Sequence, residues 1–231
     1  MKKVLKSPHF LICFALVPIF SALLSFQGMA QKGRFTGMFE YKITVRDTSL
    51  RAFYPDNSMF VYTNDTIVRT ENYTAQLGFQ INIHHLEKNK AYLLMDNDIG
   101  KFAIASDYNS LKQSDSSVYV SKYHFKKKAG SKKILGRKVK CMLVTHDDSK
   151  ETFEFWYDKK ISPKYNHIFP EMKGLPVSYS VVTPDAVLNY EMVRISEYVP
   201  DRDLFGIPSD FERITFDEFI DRMLQQQQVP E

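Results

Sequence analysis

Apolar and polar residues alternate along most of the chain. In residues 35–45, Phe35, Phe39, Tyr41, Ile43 and Val45 fall on one side of an extended segment, and Thr36, Glu40, Lys42 and Thr44 on the other. That period of two marks a half-buried strand. The pattern returns with Leu77, Phe79, Ile81 and Ile83 against Gly78, Gln80, Asn82 and His84. VKCMLVT, TFEFWY, VSYSVV and VLNYEMVRISEY follow it, and SMFVYT, TIVRT, AYLLM, KFAIA and VYVSKYHF are shorter candidates. About ten or eleven strands result, separated by turn-like pieces such as Tyr62-Thr63-Asn64-Asp65, Asp96-Asn97-Asp98 and Ala129-Gly130-Ser131. Closely spaced alternating strands predict an antiparallel meander, and the lack of strand–helix alternation argues against a parallel α/β sheet.

One helix is predicted over residues 215–226. Thr215 and Glu218 form a capping box, and Phe216, Phe219, Ile220, Met223 and Leu224 recur at helical spacing as one apolar stripe. Such a helix covers part of a large sheet. The remainder is expected to curl as a half-barrel or barrel, or to pack as a sandwich, and curling makes a concave apolar interior suited to a ligand. The fold class is therefore mainly β: a single curved antiparallel sheet of about ten strands packed on a C-terminal amphipathic helix. The polar stretch 106–117 reads as a loop or weak helix, and 227–231 as a disordered tail.

Composition changes this picture at the N-terminus. Lys2, Lys3 and Lys6 precede an apolar run from Phe10 to Phe26 broken by Pro18, and Gly28-Met29-Ala30 follows. This is the layout of a secretory signal peptide, residues 1–30, cleaved after Ala30, with no membrane span remaining. Cys13 follows bulky Ile12 inside that run, unlike a lipoprotein cysteine. Cleavage removes three of 31 basic residues and none of the 27 acidic ones, so the net charge falls from +4 to +1. A nearly neutral chain gives no support for nucleic acid as partner. Residues 31–214 then form one β domain, exported to the periplasm or beyond. Cys141 is left without a disulfide partner, on a strand face with Val139 and Leu143 that predicts burial.

Candidate chemistry is sparse. His84 and His85 are adjacent on a strand and point to opposite faces, while His124, His146 and His167 are isolated, so no metal site is expected. In DNDIGKFAIASD, Gly100 is at the fifth position of the loop and the terminal Glu is missing, which fails a calcium loop. No nucleophile elbow, phosphate loop or dinucleotide fingerprint occurs. Glu40, Glu151, Glu154, Glu191 and Glu197 lie on polar strand faces or beside basic residues. No enzyme activity and no cofactor are expected. Eight Lys/Arg stand between Lys126 and Lys140, either a solvated hairpin or a patch for anionic headgroups or an acidic partner. The sequons at Asn64 and Asn72 read as turn residues.

FWYDKKISPKYNHIFPEMKGLPVSY crowds aromatics, charges and prolines into one stretch. Pro163 and Pro170 stop sheet pairing, so the stretch reads as strand, compact crossover and strand, a seam of the fold. Lys132-Lys133-Ile134-Leu135-Gly136, Trp156-Tyr157, Gly174-Leu175-Pro176, and Leu204-Phe205 with Pro208 and Phe211 carry a resemblance. This set resembles a group of secreted Bacteroidetes proteins of unknown function. The group includes the GLPGLI type and families with the lipoprotein-carrier (LolA/LolB-like) fold. Arg137 stands where the family has Tyr, Val139 occupies the usual Cys place, and Val177-Ser178 replaces Gly-Leu. The resemblance implies a curved antiparallel sheet wrapped around a helix, in the envelope, and no catalytic residues.

The expected function is binding or carrying a lipid or other apolar ligand. Its cavity is expected to be lined by Phe39, Tyr41, Ile43, Phe79, Ile81, Ile83, Phe153, Phe155 and Tyr157, with the terminal helix as plug. The alternative is a non-catalytic interaction or assembly protein working through the basic hairpin. An envelope hydrolase ranks third.

Overall fold

The computed structural model describes residues 33–74, 78–88, 90–107, 122–170 and 172–227. The signal-like residues 1–30 with Cys13, Leu77, residues 108–117 of the polar stretch, residues 118–121 of VYVSKYHF, and the tail from 228 lie outside the described residues. So does Glu171 of the crossover stretch.

Twelve strands form one curved, open sheet. They are β1 (Gly37–Val45), β2 (Asn57–Thr63), β3 (Ile67–Thr74), β4 (Gly78–His85), β5 (Lys90–Asn97), β6 (Gly100–Asp107), β7 (Tyr123–Ile134), β8 (Arg137–His146), β9 (Ser149–Asp158), β10 (Leu175–Val182), β11 (Val187–Glu197) and β12 (Glu212–Ile214). Helix α1 (Phe216–Gln227) follows. The order is β12-β6-β5-β4-β3-β2-β1-β11-β10-β9-β8-β7, two consecutive meanders joined through β1 and β11. All pairs are antiparallel except β12 with β6. β12 is the strand that alternation missed, because three residues are too few to show a period.

Register decides which face each side chain takes. Directly paired residues share a face. One row runs Phe39, Val61, Thr70, Asn82, Leu93, Ile104 and Ile214 across seven strands. The row beside it, on the other face, runs Glu40, Phe60, Glu71, Ile81, Leu94 and Ala103. The apolar side of the sheet therefore switches between β3 and β4. Phe39 and Ile81 were expected to line one cavity; they lie on opposite faces.

Three clusters fill the interior. The largest lies on the Phe39 face and joins β1, β2 and β8–β11 to the crossover 159–174, with Tyr41, Phe155, Tyr165, Phe169 and Tyr179 all at most 2 % exposed. Phe169 packs edge-on against Phe155 and Tyr179, with centroids 5.2 and 5.6 Å away. A second cluster, Met95, Phe102, Ile104, Ile214 and Phe219, places α1 on the same face at β5, β6 and β12. A third, on the Glu40 face, holds Ile81, Ile83, Leu94 and Ala103 under Ile207 and Phe211.

Helix α1 opens with its capping box: Thr215 N–H donates to Glu218 Oε2 at 2.7 Å, and Glu218 N–H donates to Thr215 Oγ1 at 3.2 Å. Its apolar stripe is only half used. Phe219 packs edge-on to Phe102 at 5.9 Å and Met223 joins it, while Phe216, Ile220 and Leu224 stay exposed. A helix seated on the edge of a sheet buries the row that faces the strands and no other.

The Ala129-Gly130-Ser131 turn is also corrected. Those residues sit inside β7, where its pairing with β8 slips between Lys127 and Ser131. The reversal comes at Leu135-Gly136, both with positive φ (48° and 75°), closed by the Ile134–Arg137 pair. Two left-handed residues match the strand twist of a two-residue hairpin, which accounts for glycine at 136. The hairpin is the sheet's edge, and its lysines are exposed. Lysines and a bulge on an open edge discourage edge-to-edge association, a structural reason for the basic run.

Candidate apolar slot

In a flat sheet four spacings would set β7 about 19 Å from β11. Here the tip of the β7–β8 hairpin reaches β11. Ile134 and Leu135 wall a pocket together with Ile161, Leu175, Val177, Met192 and Ile195. Its cavity volume is about 10 Å³, room for roughly one water. The sheet has curled until its edge hairpin folds over β10 and β11.

One ion pair fastens the tip. Arg137 Nε lies 2.5 Å from Asp158 Oδ2, and Asp158 Oδ1 accepts from Lys160 N–H at 2.8 Å. Asp158 is 1 % exposed. A buried carboxylate needs such partners, since an unpaired buried charge costs several kcal/mol. A second arm, Arg137 Nη1, stands 3.5 Å from Glu197 Oε1, whose side chain is 69 % exposed. That contact is long and solvated, so it contributes little.

The motif residues converge at this corner. Gly136 makes the hairpin turn. Trp156 lies under the Lys132 ammonium, 4.1 Å from its ring centroid. Tyr157 precedes Asp158, and Tyr41 O–H donates to Pro176 O at 2.8 Å. Gly174 is fixed by close approach: a Cβ there would stand 2.3 Å from Asp158 O. Leu175 walls the slot and its N–H donates to Ile161 O at 3.0 Å. Phe205 and Pro208 are elsewhere, in the segment before β12, where Arg69 Nη1 donates to Leu204 O at 2.8 Å.

The expected cavity residues are placed as follows. Phe39, Tyr41, Phe153, Phe155 and Tyr157 are buried within the largest cluster, and Ile43 packs against it half-buried. Ile81 and Ile83 belong to the cluster on the opposite face. Phe79 is 38 % exposed near the start of β4, opposite Tyr73. These side chains form packed cores on two faces rather than one common lining, and none of them walls the slot.

Two polar groupings join residues far apart in sequence. Asp65 has a positive φ of 76° in the β2–β3 turn. Tyr165 O–H donates to its carboxylate, Lys164 Nζ is 2.8 Å away and Arg34 Nε 2.5 Å. Burial raises the Asp65 carboxyl, but hydrogen bonds from Lys164 and Tyr165 and the two cationic charges take it below its ordinary value. Phe35 N–H donates to Tyr165 Oη at 2.9 Å, so the crossover is stitched to the chain's first described residues. This cluster and the Arg137–Asp158 pair escaped sequence reasoning. A turn Asp after Asn, and an acid closing an aromatic strand, were the signals present.

The other candidates are occupied by structure. His84 pairs with Val68 and Ala91, while His85 sits on the other face beside Ile67 and Lys90. Glu40 pairs with Arg194 at 2.9 Å, Glu151 with Arg46 at 2.7 Å, and Glu154 with Lys128. Cys141 is 1 % exposed and burial pushes its thiol up, away from the reactive thiolate. Among the described residues, no group of three His, Cys, Asp or Glu is placed to hold a metal, and no helix is long and apolar enough to cross a membrane.

No family model matches the chain, and no curated protein does. Among solved structures, PNGF-II in two crystal forms overlays on 82 % of this chain, with TM-scores of 0.46 and 0.44 at 16 % and 15 % identity. The chain spans about a third of the length of PNGF-II, 33 % and 34 % in the two forms. The Mycobacterium tuberculosis lipoprotein LppX overlays on 71 % of this chain and 90 % of its own, with a TM-score of 0.34 at 10 % identity. Overlays this loose decide neither family nor activity.

Proposed function

We propose that the chain is a non-catalytic binding module of the bacterial envelope that takes a lipid-like apolar ligand under the β7–β8 hairpin tip. The observation that carries this reading is the slot itself: aliphatic walls from β7, β10, β11 and the crossover, covered by the hairpin tip. The β8–β9 ladder stops at Lys140–Tyr157, so residues 131–139 pair only within their own hairpin. The pairing slip beside Gly130, where a Cβ would meet nothing within 4 Å, supplies a hinge. Closed, the slot is far below the roughly 300 Å³ of a small-molecule site. Ligand entry therefore requires the tip to lift. The signal-like N-terminus supports export.

A second reading, an assembly protein using its exterior, is favoured by the lysine-rich edge strand. Native mass spectrometry of the exported protein, with lipid extraction, separates the two. A stoichiometric apolar adduct, lost in Leu135→Asp while the fold is kept, is the expected result. Leu135 is 43 % exposed, so this change spares the core. A bare mass and no recovered lipid under gentle handling would overturn the binding reading and favour partner capture on the hairpin.

A further inference from the structure

Resting on that reading of the slot, we infer that its ligand is an anionic amphiphile: an apolar chain ending in a carboxylate or phosphate held by Arg137. The guanidinium sits where the apolar walls meet solvent, its side chain 29 % exposed. It carries five donors in a planar fork. Nε is committed to Asp158 at 2.5 Å, and among the described residues Nη1 has only the 3.5 Å contact to Glu197. An incoming anion takes the outer edge of the fork by displacing Glu197, and Asp158 keeps its partner. No buried charge is orphaned in the exchange.

Nearby charges agree in sign. Lys159, Lys160 and Lys173 are exposed, and each stands within two residues of a wall position, whereas Lys133 and Lys138 pair with each other on the face opposite Ile134 and Arg137. Acids equally near the walls are Asp158, Glu191 and Glu197. Asp158 is already paired, and Glu191 is in register with Lys42 and Ser178 on the Glu40 face, away from the slot. A guanidinium at the mouth of an apolar slot matches a ligand with one anionic end and one oily one, and disfavours a cationic headgroup.

The chain's single tryptophan, Trp156, stands two residues from Asp158 and reports occupancy by its fluorescence. Decanoate, decyl phosphate and decanol, each below its aggregation limit, are titrated against the exported chain, with inorganic phosphate and anionic phospholipid vesicles alongside. The inference expects both anionic chains to bind at least tenfold tighter than decanol. Arg137→Gln should abolish the advantage of the two anionic chains over decanol. Arg137→Gln strips Asp158 of its partner and can unfold the corner, so Glu197→Gln gives an independent arm: removing the competing carboxylate should tighten the anionic ligands two- to fivefold.

Equal affinity for decanol and the anions overturns the headgroup inference and leaves the apolar-ligand reading standing. Inorganic phosphate binding as tightly as decyl phosphate overturns it in favour of a bare anion site. Vesicle binding without uptake of any free chain overturns it in favour of a surface contact. No response to any decyl compound brings down the underlying reading of the slot.

Discussion

The two wings of the sheet solve the same problem differently. Strands β8–β11, with β1, turn their aromatics other than Trp156 to the Phe39 face, and the crossover between β9 and β10 fills that face from within the meander. Strands β4–β6 split their apolar residues between two faces, and neither cover is local. Ile207 and Phe211 close the Glu40 face, and Ile214 and Phe219 close the other, all of them from the last stretch of chain. One wing carries its cover in its own connections; the other borrows a clamp from a segment some hundred residues later. The hairpin tip belongs to the first wing: Val139 is fully buried in its cluster and Ile134 packs against it.

The most severe way to break the comparison is to remove the clamp. Deleting residues 200–231 takes away Phe205, Ile207, Phe211, Ile214, Phe219 and Met223. At about 1.5–3 kcal/mol for each buried side chain, the loss is on the order of 10 kcal/mol. Hydrogen exchange should show β4–β6 stripped of protection while β8–β11 retain theirs. Uniform loss across both wings would mean a single cooperative unit, and the contrast drawn above would fail.

What could be read beforehand follows the same division. Alternation is a local property, so eleven strand candidates and the helix cap were legible. Which face a strand's apolar side takes is not local. Phe39 and Ile81 obey the same period, but the pairings Val61–Thr70 and Thr70–Asn82 put Asn82, not Ile81, on the Phe39 face. Parity within a strand is visible in sequence; parity between strands needs register, and register is set by turns and by bulges such as Glu40–Tyr41. The crossover stretch was legible as a seam because its prolines forbid pairing. The slot was not, because its walls come from β7, β10, β11 and the crossover, and its fastening joins residues 21 positions apart. The antiparallel curved sheet implied by the family resemblance agrees with the fold, whereas the cavity placed in it does not coincide with the slot.

The Asp65 cluster sharpens the comparison at the next level down, because it ties the first wing's crossover to the β2–β3 turn. Asp65→Asn keeps a residue that tolerates positive φ and removes only the charge. It should cost about 2 kcal/mol near neutrality, since Lys164 and Arg34 remain partly solvated after losing their partner. The folded-state carboxyl is held below its ordinary 3.8, so the stabilisation is present above that value and is lost as pH falls through the folded one. Urea titrations near neutrality and well below pH 3.8 should show the gap between the two proteins closing with acid. A gap that persisted at low pH would place the effect in packing or backbone conformation rather than in charge.

The mildest probe touches the clamp alone. Thr215→Ala removes the hydroxyl that accepts from Glu218 N–H and leaves a first-turn donor of α1 unsatisfied, a loss of about 1 kcal/mol. α1 covers β5, β6 and β12 and has no part in the aromatic cluster, so fraying should register as faster exchange in β6 and in the helix, with β8–β11 unchanged. Phe219 is the α1 residue buried on the second wing, edge-on to Phe102, so a change at the cap is felt there before it is felt under Phe155. If Thr215→Ala instead speeds exchange in β9 or β10, the clamp extends its influence across β1 and β11, and the wings share more than a sheet.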